Sequence, residues 1–194
     1  MAQQQGVAHA TLADVLWSPA AGSTAVRAIV LAVIGSLLLT ISAKIQVPFW
    51  PVPMTMQTFV VLVLGVAYGG RLAGATVLLY LAQGALGLPV FAGGGGLAYM
   101  AGPTGGYLAG FLLAAVAVGW LAERGWARSA PSTLAAMLIG TAIIFGCGIA
   151  WLATLIGLPQ AISAGLVPFL LSEAVKIALA TALVPSAWRL MRRS

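Results

Sequence analysis

Six apolar runs, at about 24–43, 55–69, 71–88, 104–122, 133–156 and 166–188, fill most of this 194-residue chain. Only Pro-, Gly- or charge-bearing punctuation separates them. A membrane-spanning helix needs about 20 apolar residues, so the runs predict six crossings joined by short connections and leave no length for a soluble domain. Composition agrees, with 61% hydrophobic and 6% charged residues, where a soluble domain carries about 25% charged. The expected fold class is an all-α integral membrane protein, a six-transmembrane-helix bundle. Only Gly69-Gly70-Arg71 separates the second and third runs, which predicts a tight helical hairpin that turns on glycine.

The cationic residues set an orientation, because positively charged short loops stay on the cytoplasmic side. Arg27, Arg71, Arg124, Arg128, Arg189, Arg192 and Arg193 fall at one set of run ends and only Lys44 at the other, with Lys176 internal. Both termini are then expected in the cytoplasm. The external face would consist of the connections at about 44–54, 89–103 and 157–165. Residues 1–22 read as a cytoplasmic N-terminal segment without a signal-peptide pattern, 23–190 as one substrate-binding transmembrane domain, and 191–194 as a basic tail. The expected location is the cell membrane of a bacterial type, with the lipid bilayer as a partner. A charge of +6 does not imply nucleic acid, since the basic residues mark run ends rather than one polar face. Cys147 is the lone cysteine, which excludes an internal disulfide and a cysteine metal cluster and leaves a helix-packing role.

Against this background, Glu173 and Lys176 stand out, because they lie inside the last apolar run. A charge at membrane depth costs about 2.5–3.5 kcal/mol on insertion scales and commonly marks a substrate or ion site. Three residues apart on a helix, the two share a face and present an acceptor beside a donor; a structural ion pair is the alternative. Pro168 disfavours helical geometry before it, so the regular helix should start near Leu170 or Ser172, with Ser172 as a possible cap and Glu173 near the positive helix end.

Three further features bear on binding. The segment from Leu88 to Tyr107 contains Gly93 to Gly96 and Gly102-Pro-Thr-Gly-Gly-Tyr107. Its glycines, Gly94 and Gly95 among them, permit close ligand approach. Pro103 suits a first helical position, with the amides of Thr104, Gly105 and Gly106 as a donor set. Gln57 carries an amide into the membrane after a proline-rich connection, as interhelical glue or as a binding group. Ala28, Ala32 and Ser36 recur every fourth residue, a small-residue groove fit for internal packing or for a partner helix. The chain offers no Ser-His-Asp set, no His-Glu-x-x-His, no paired carboxylates and no phosphate-binding Gly-x-x-x-x-Gly-Lys-Ser/Thr, so neither an enzyme nor an ATPase is expected, and no cofactor or metal is implied. A solute-binding subunit, a small-solute channel and a membrane scaffold remain open.

Gln57 after the proline-rich connection, Leu88-Pro-Val-Phe-Ala before Gly93, Gly102-Pro-Thr-Gly-Gly-Tyr107 and the acid-x-x-Lys pair at 173 and 176 resemble the BioY family, the substrate-binding components of energy-coupling-factor biotin transporters. The resemblance covers about residues 25–188. It implies a six-helix bundle, capture of biotin from outside, and partnership with a transmembrane coupling protein and two ATPase subunits. A ligand-binding role is implied for Glu173 and Lys176, and by motif position for Gln57, Thr104 and Tyr107. Where the family usually has Pro-Gly-Asp-x-x-Lys, this chain reads Leu171-Ser172-Glu173-Ala-Val-Lys176, which loses the proline and lengthens the acid by a methylene. Biotin's ureido ring suits such a pair, with Glu173 accepting N–H groups while Lys176 or a loop amide donates to the carbonyl. Lys44, Gln57, Lys176 and the helix amides after Pro103 all qualify for the ligand's carboxylate.

Overall fold

The computed structural model describes residues 11–17 and 23–191. His9, Arg192 and Arg193 therefore lie outside the described residues, as do most of the N-terminal segment and most of the basic tail. Helix α1 (Leu12–Leu16) is closed by a capping box between Thr11 and Asp14. Then come α2 (Thr24–Lys44) and a short antiparallel pair, β1 (Gln46–Val47) and β2 (Met54–Thr55). The bundle continues with α3 (Gln57–Tyr68), α4 (Gly70–Ala85), the single turn α5 (Leu97–Met100), α6 (Gly105–Glu123) and α7 (Ala130–Ile156). It closes with α8 (Leu158–Gly165), a 3-10 turn at Val167–Phe169 and α9 (Leu170–Met191). The connection expected at 157–165 is thus mostly helix. Gly157, at φ 83°, ends α7 and opens α8.

The hairpin expected around Gly69 is present. Gly69 adopts φ 77° and ψ 167° and serves as the last cap of α3 and the first of α4, a conformation that a residue with a Cβ rarely adopts. Gln57, at the open end of α3, donates to the Tyr80 hydroxyl near the open end of α4 at 2.6 Å, so the two helices run back along each other. At about 1.5 Å per residue they are about 18 and 24 Å long. Among the described residues, five segments are long and apolar enough to cross a membrane, with Gln57–Ala85 counted as one.

Helix α6 sits centrally, packed on α3, α4 and α7. Close approach to α7 depends on Gly110, where a Cβ would lie 2.9 Å from the Ile144 backbone. The two ends of the bundle differ in chemistry. At one end Arg27 Nη2 donates to Asp14 Oδ1 (2.8 Å), Gly70 N to Glu123 Oε1 (2.9 Å), and Arg128 lies over the Trp188 ring. At the other, Lys44 Nζ donates to the Phe91 carbonyl (2.5 Å) and Trp151 Nε1 to that of Gly102 (2.9 Å).

The structure narrows one expectation and corrects another. The small residues of α2 face the chain's own core: Ala28 is half-buried, Ala32 is buried and Ser36 is 1% exposed, its hydroxyl donating to Gln83 Oε1 of α4. The groove that small side chains create is filled from within, and α2 turns Ile29, Val33, Leu37 and Ile41 outward instead. Of the two readings open from sequence, this packing supports the internal one. Ser172 is no cap: α9 begins at Leu170, and the Ser172 hydroxyl donates to the Phe169 carbonyl at 3.0 Å. Glu173 does lie in the first turn of α9.

Candidate functional site

At the end of the bundle away from the arginines, one cavity draws on every part of the chain that the sequence singles out for binding. Its wall comprises Val52, Pro53 and Thr55 from the β-hairpin, Gln57 and Thr58 from α3, Ala92 from the glycine-rich segment, Thr104, Tyr107 and Phe111 around the start of α6, Phe145 of α7, and Phe169, Glu173 and Lys176 leading into α9. Tyr107, Phe145 and Phe169 form a contiguous aromatic wall, with centroids 5.8 and 5.9 Å apart at steep angles. The open interior is about 30 Å³, room for about two water molecules and far below the roughly 300–1,000 Å³ of small-molecule pockets. Gln46 Nε2 donates to the Ala92 carbonyl at 3.3 Å and Lys44 to that of Phe91, which ties the β-hairpin and the end of α2 to the glycine-rich segment.

The polar corner is an ordered network. Lys176, 7% exposed, directs Nζ at the Thr55 carbonyl (2.6 Å), Thr58 Oγ1 (3.0 Å) and Glu173 Oε1 (2.6 Å). An ammonium has three donors, and all three are engaged. The Thr58 hydroxyl passes the interaction on by donating to the same Glu173 oxygen at 2.9 Å. Glu173 is 4% exposed, and its second oxygen, Oε2, is buried without a hydrogen-bond partner among the described residues. An unpaired buried carboxylate oxygen is costly and rare. Here it belongs to a residue that lines the cavity. The network thus saturates the cation and one carboxylate oxygen and leaves a single strong acceptor unused.

Of the residues singled out from sequence, Glu173, Lys176, Gln57, Thr104 and Tyr107 line the cavity. Gln57 gives one amide hydrogen to Tyr80, whose hydroxyl donates to the Val90 carbonyl at 3.1 Å. Tyr107 supplies a ring wall, while its hydroxyl donates to the Gly165 carbonyl at 2.8 Å.

Gly105, Gly94 and Gly95 are not on the wall. A Cβ on Gly105 would run into the Met100 carbonyl, and its amide already donates to Gly102 O at 3.0 Å. The expected donor set is therefore incomplete, and Pro103 precedes the Thr104 cap rather than opening the helix. Gly94 pairs with Phe91 across a tight turn, and a Cβ on Gly95 would strike the Leu88 carbonyl. These glycines shape the segment, and Ala92 is its residue on the wall. Sequence reasoning missed Thr58, Thr55 and the aromatics Phe111, Phe145 and Phe169. Thr58, a hydroxyl beside Gln57 in an apolar run, is visible as a polar residue there, but nothing local marks it as a bridging one.

Comparison with known proteins converges on one family, whose model matches residues 11–193. This chain belongs to the BioY family. A probable biotin transporter BioY of Pyrococcus horikoshii is 40% identical over 74% of this chain and 85% of its own length. The biotin transporter BioY of Thermotoga maritima is 38% identical over 79% and 91%. The crystal structure of the S-component for biotin from an ECF-type ABC transporter superposes with a TM-score of 0.72 at 22% identity, covering 87% of this chain and 94% of that one. At that identity the match speaks for the fold. In this member of the family, an acid–base pair on the first turns of α9 lies against a hydroxyl of α3.

Proposed function

We propose that this chain is a multi-pass membrane protein that captures biotin at the outer face of the cell membrane for uptake energised by a separate module. One observation carries the reading at the site: a buried carboxylate with one oxygen saturated by Lys176 and Thr58 and the other unpartnered in a cavity walled by aromatic rings. The relatives named as biotin transporters supply the identity of the ligand.

Biotin's ureido N–H groups would donate to Glu173 Oε2, replacing an unmade bond with a charge-assisted one. Its thioether ring and valeryl chain would lie against Phe111, Phe145 and Phe169. Lys176 is already fully engaged, so the ureido carbonyl or the carboxylate draws instead on Thr104 and on the second amide hydrogen of Gln57. This sharpens the sequence expectation: Lys176 holds the acid in place, and the acid meets the ligand.

The arginines at the opposite end orient the cavity outward under the positive-inside rule. With α3 and α4 counted as two crossings, the chain crosses six times and both termini are cytoplasmic. Uptake against a gradient needs a transmembrane coupling protein and two ATPase subunits, in keeping with the ECF-type assembly to which the solved biotin S-component belongs.

The test is equilibrium binding of labelled biotin to the purified protein, repeated with Gly105→Val and Ala130→Val. The first would push Met100, at the end of α5, away from the start of α6, whereas Ala130 is exposed at the arginine end. Binding by the wild type, weakened by Gly105→Val alone, supports the proposal. Absence of saturable binding to well-folded protein, or equal effects of the two changes, overturns it.

A further inference from the structure

A second concavity lies on the membrane-facing flank of α4 and α6, well away from the biotin cavity. It is an open groove of about 710 Å³ that runs beside Gly70, Gly74, Ala75 and Leu78 on α4 and Leu112 to Trp120 on α6. Arg71 is its sole charged lining residue. From Gly70 to Leu78 the groove is about 12 Å long, and small side chains keep its floor low between Leu78, Leu113 and Trp120, which all project outward.

The arginine end of this groove carries an unbalanced charge. Arg71 is exposed and has no hydrogen bond or ion pair among the described residues. Arg124 stacks over the Trp120 ring at 4.4 Å and gives one N–H to the Trp120 carbonyl at 3.1 Å, with no further hydrogen bond among the described residues. The nearby acid, Glu123, accepts from the Gly70 amide and lies against Gly69, beside which Thr11 at the start of α1 also packs. Two guanidinium groups and an interfacial tryptophan therefore cap an apolar trough. An apolar partner helix would have to bury both arginines unpaired, whereas a phosphodiester accepts their hydrogen bonds.

We propose that this groove is a binding site for an anionic phospholipid of the leaflet at the arginine end. One acyl chain follows the Ala75–Leu78 and Leu113–Val116 walls, the phosphate meets Arg71 and Arg124, and Trp120 sits at the level of the headgroup. Basic sites between transmembrane helices select anionic headgroups in this manner, each cation near the surface contributing independently.

The experiment is native mass spectrometry of the full chain in a mild detergent, titrated with phosphatidylglycerol or phosphatidylcholine of identical acyl chains. The wild type should retain phosphatidylglycerol at least about tenfold better. Arg71→Gln/Arg124→Gln should reduce it to the phosphatidylcholine level, and Ala75→Trp, which fills the groove from an exposed position, should lower retention of both lipids. Arg189→Gln, an exposed arginine of the same end outside the groove, should change nothing. If the double variant fails to fold, Arg71→Gln and Arg124→Gln singly should each reduce the preference. Equal retention of the two lipids by the wild type, a preference that survives loss of the arginines, or an equal loss in Arg189→Gln overturns the proposal.

Discussion

Two acid–base pairs among the described residues, one at each end of the bundle, are built differently. At the arginine end, Asp14 Oδ1 accepts from Arg27 at 2.8 Å, and Oδ2 accepts the Thr11 amide and hydroxyl at 3.0 and 2.8 Å, so both carboxylate oxygens are engaged. This pair ties α1 to α2 at the rim of the bundle, and the Asp14 side chain stays 32% exposed. At the other end, Glu173 and Lys176 lie within one turn of α9 and are almost fully buried, yet one carboxylate oxygen has nothing to bind. The outer pair closes both acceptors of its carboxylate within the chain and leaves one guanidinium donor, Arg27 Nε, without a partner among the described residues. A pair that leaves a strong acceptor open beside a cavity points to a ligand.

The strongest challenge to this contrast is Lys176→Met. Removing one partner leaves a buried charge uncompensated, which costs about 3–5 kcal/mol, read as a loss of thermal or denaturant stability in detergent. Combination with Glu173→Gln should restore most of it, and failure to do so would mean that the two charges are not energetically coupled. Next is Glu173→Gln alone. Its amide oxygen still accepts from Lys176, but an N–H₂ replaces the free acceptor. Biotin binding should weaken by about 1.5–3 kcal/mol, the range for a hydrogen bond to a charged group, with the fold retained. Unchanged affinity would make the inner pair as purely structural as the outer one.

Thr58→Val should cost about 1.5 kcal/mol of biotin affinity, because the hydroxyl that fixes Glu173 Oε1 is gone, and Thr58→Ser should restore it. Equal behaviour of valine and serine would remove Thr58 from the network.

The smallest effect belongs to the outer pair. Partial burial pushes the Asp14 carboxyl up, but the Thr11 amide and hydroxyl bonds and Arg27 outweigh it, leaving the group below its ordinary value of 3.8. A carboxyl lowered in the folded state stabilises above its unfolded pKa, and the contribution disappears as pH falls through the folded one. Docking of α1 should therefore hold at neutral pH and loosen only in acid below about 4. Asp14→Asn should cost only about 0.2–1 kcal/mol and flatten that pH dependence. Hydrogen exchange of the α1 amides would read both, and biotin affinity should not follow either.

Much of this architecture is legible in the chain. The helical hairpin follows from glycine between two apolar runs. The shared face of Glu173 and Lys176 follows from helical spacing, and the segregation of Arg27, Arg71, Arg124 and Arg128 from Lys44 from the positions of the run ends. The small-residue face of α2 is not legible in the same way. In a soluble helix the apolar stripe marks the inside, but lipid is as apolar as the core, so inward Ala32 and outward Val33 carry no contrasting polarity. Thr58 is obscured for a related reason. A hydroxyl in a membrane helix can satisfy itself on the preceding turn, as Thr76 does on the Leu72 carbonyl at 2.8 Å. Nothing local distinguishes a threonine that does this from one that bridges two charges.

The sequence by itself determined that the chain is a membrane bundle of α-helices, where it reverses at Gly69, and that one acid and one base share a helix face inside it. These follow from apolar length, backbone freedom and helical periodicity, which act within a few turns. Only the tertiary structure decided that Lys176 is fully engaged and Glu173 Oε2 is not, that Gly105 supports the cavity without lining it, and that Ser36 faces Gln83 rather than another protein. Each of those depends on which atoms meet across the bundle, as Thr58 and Glu173 do from 115 positions apart. Hydrogen-bond saturation belongs to the packed arrangement, and no stretch of residues carries it alone.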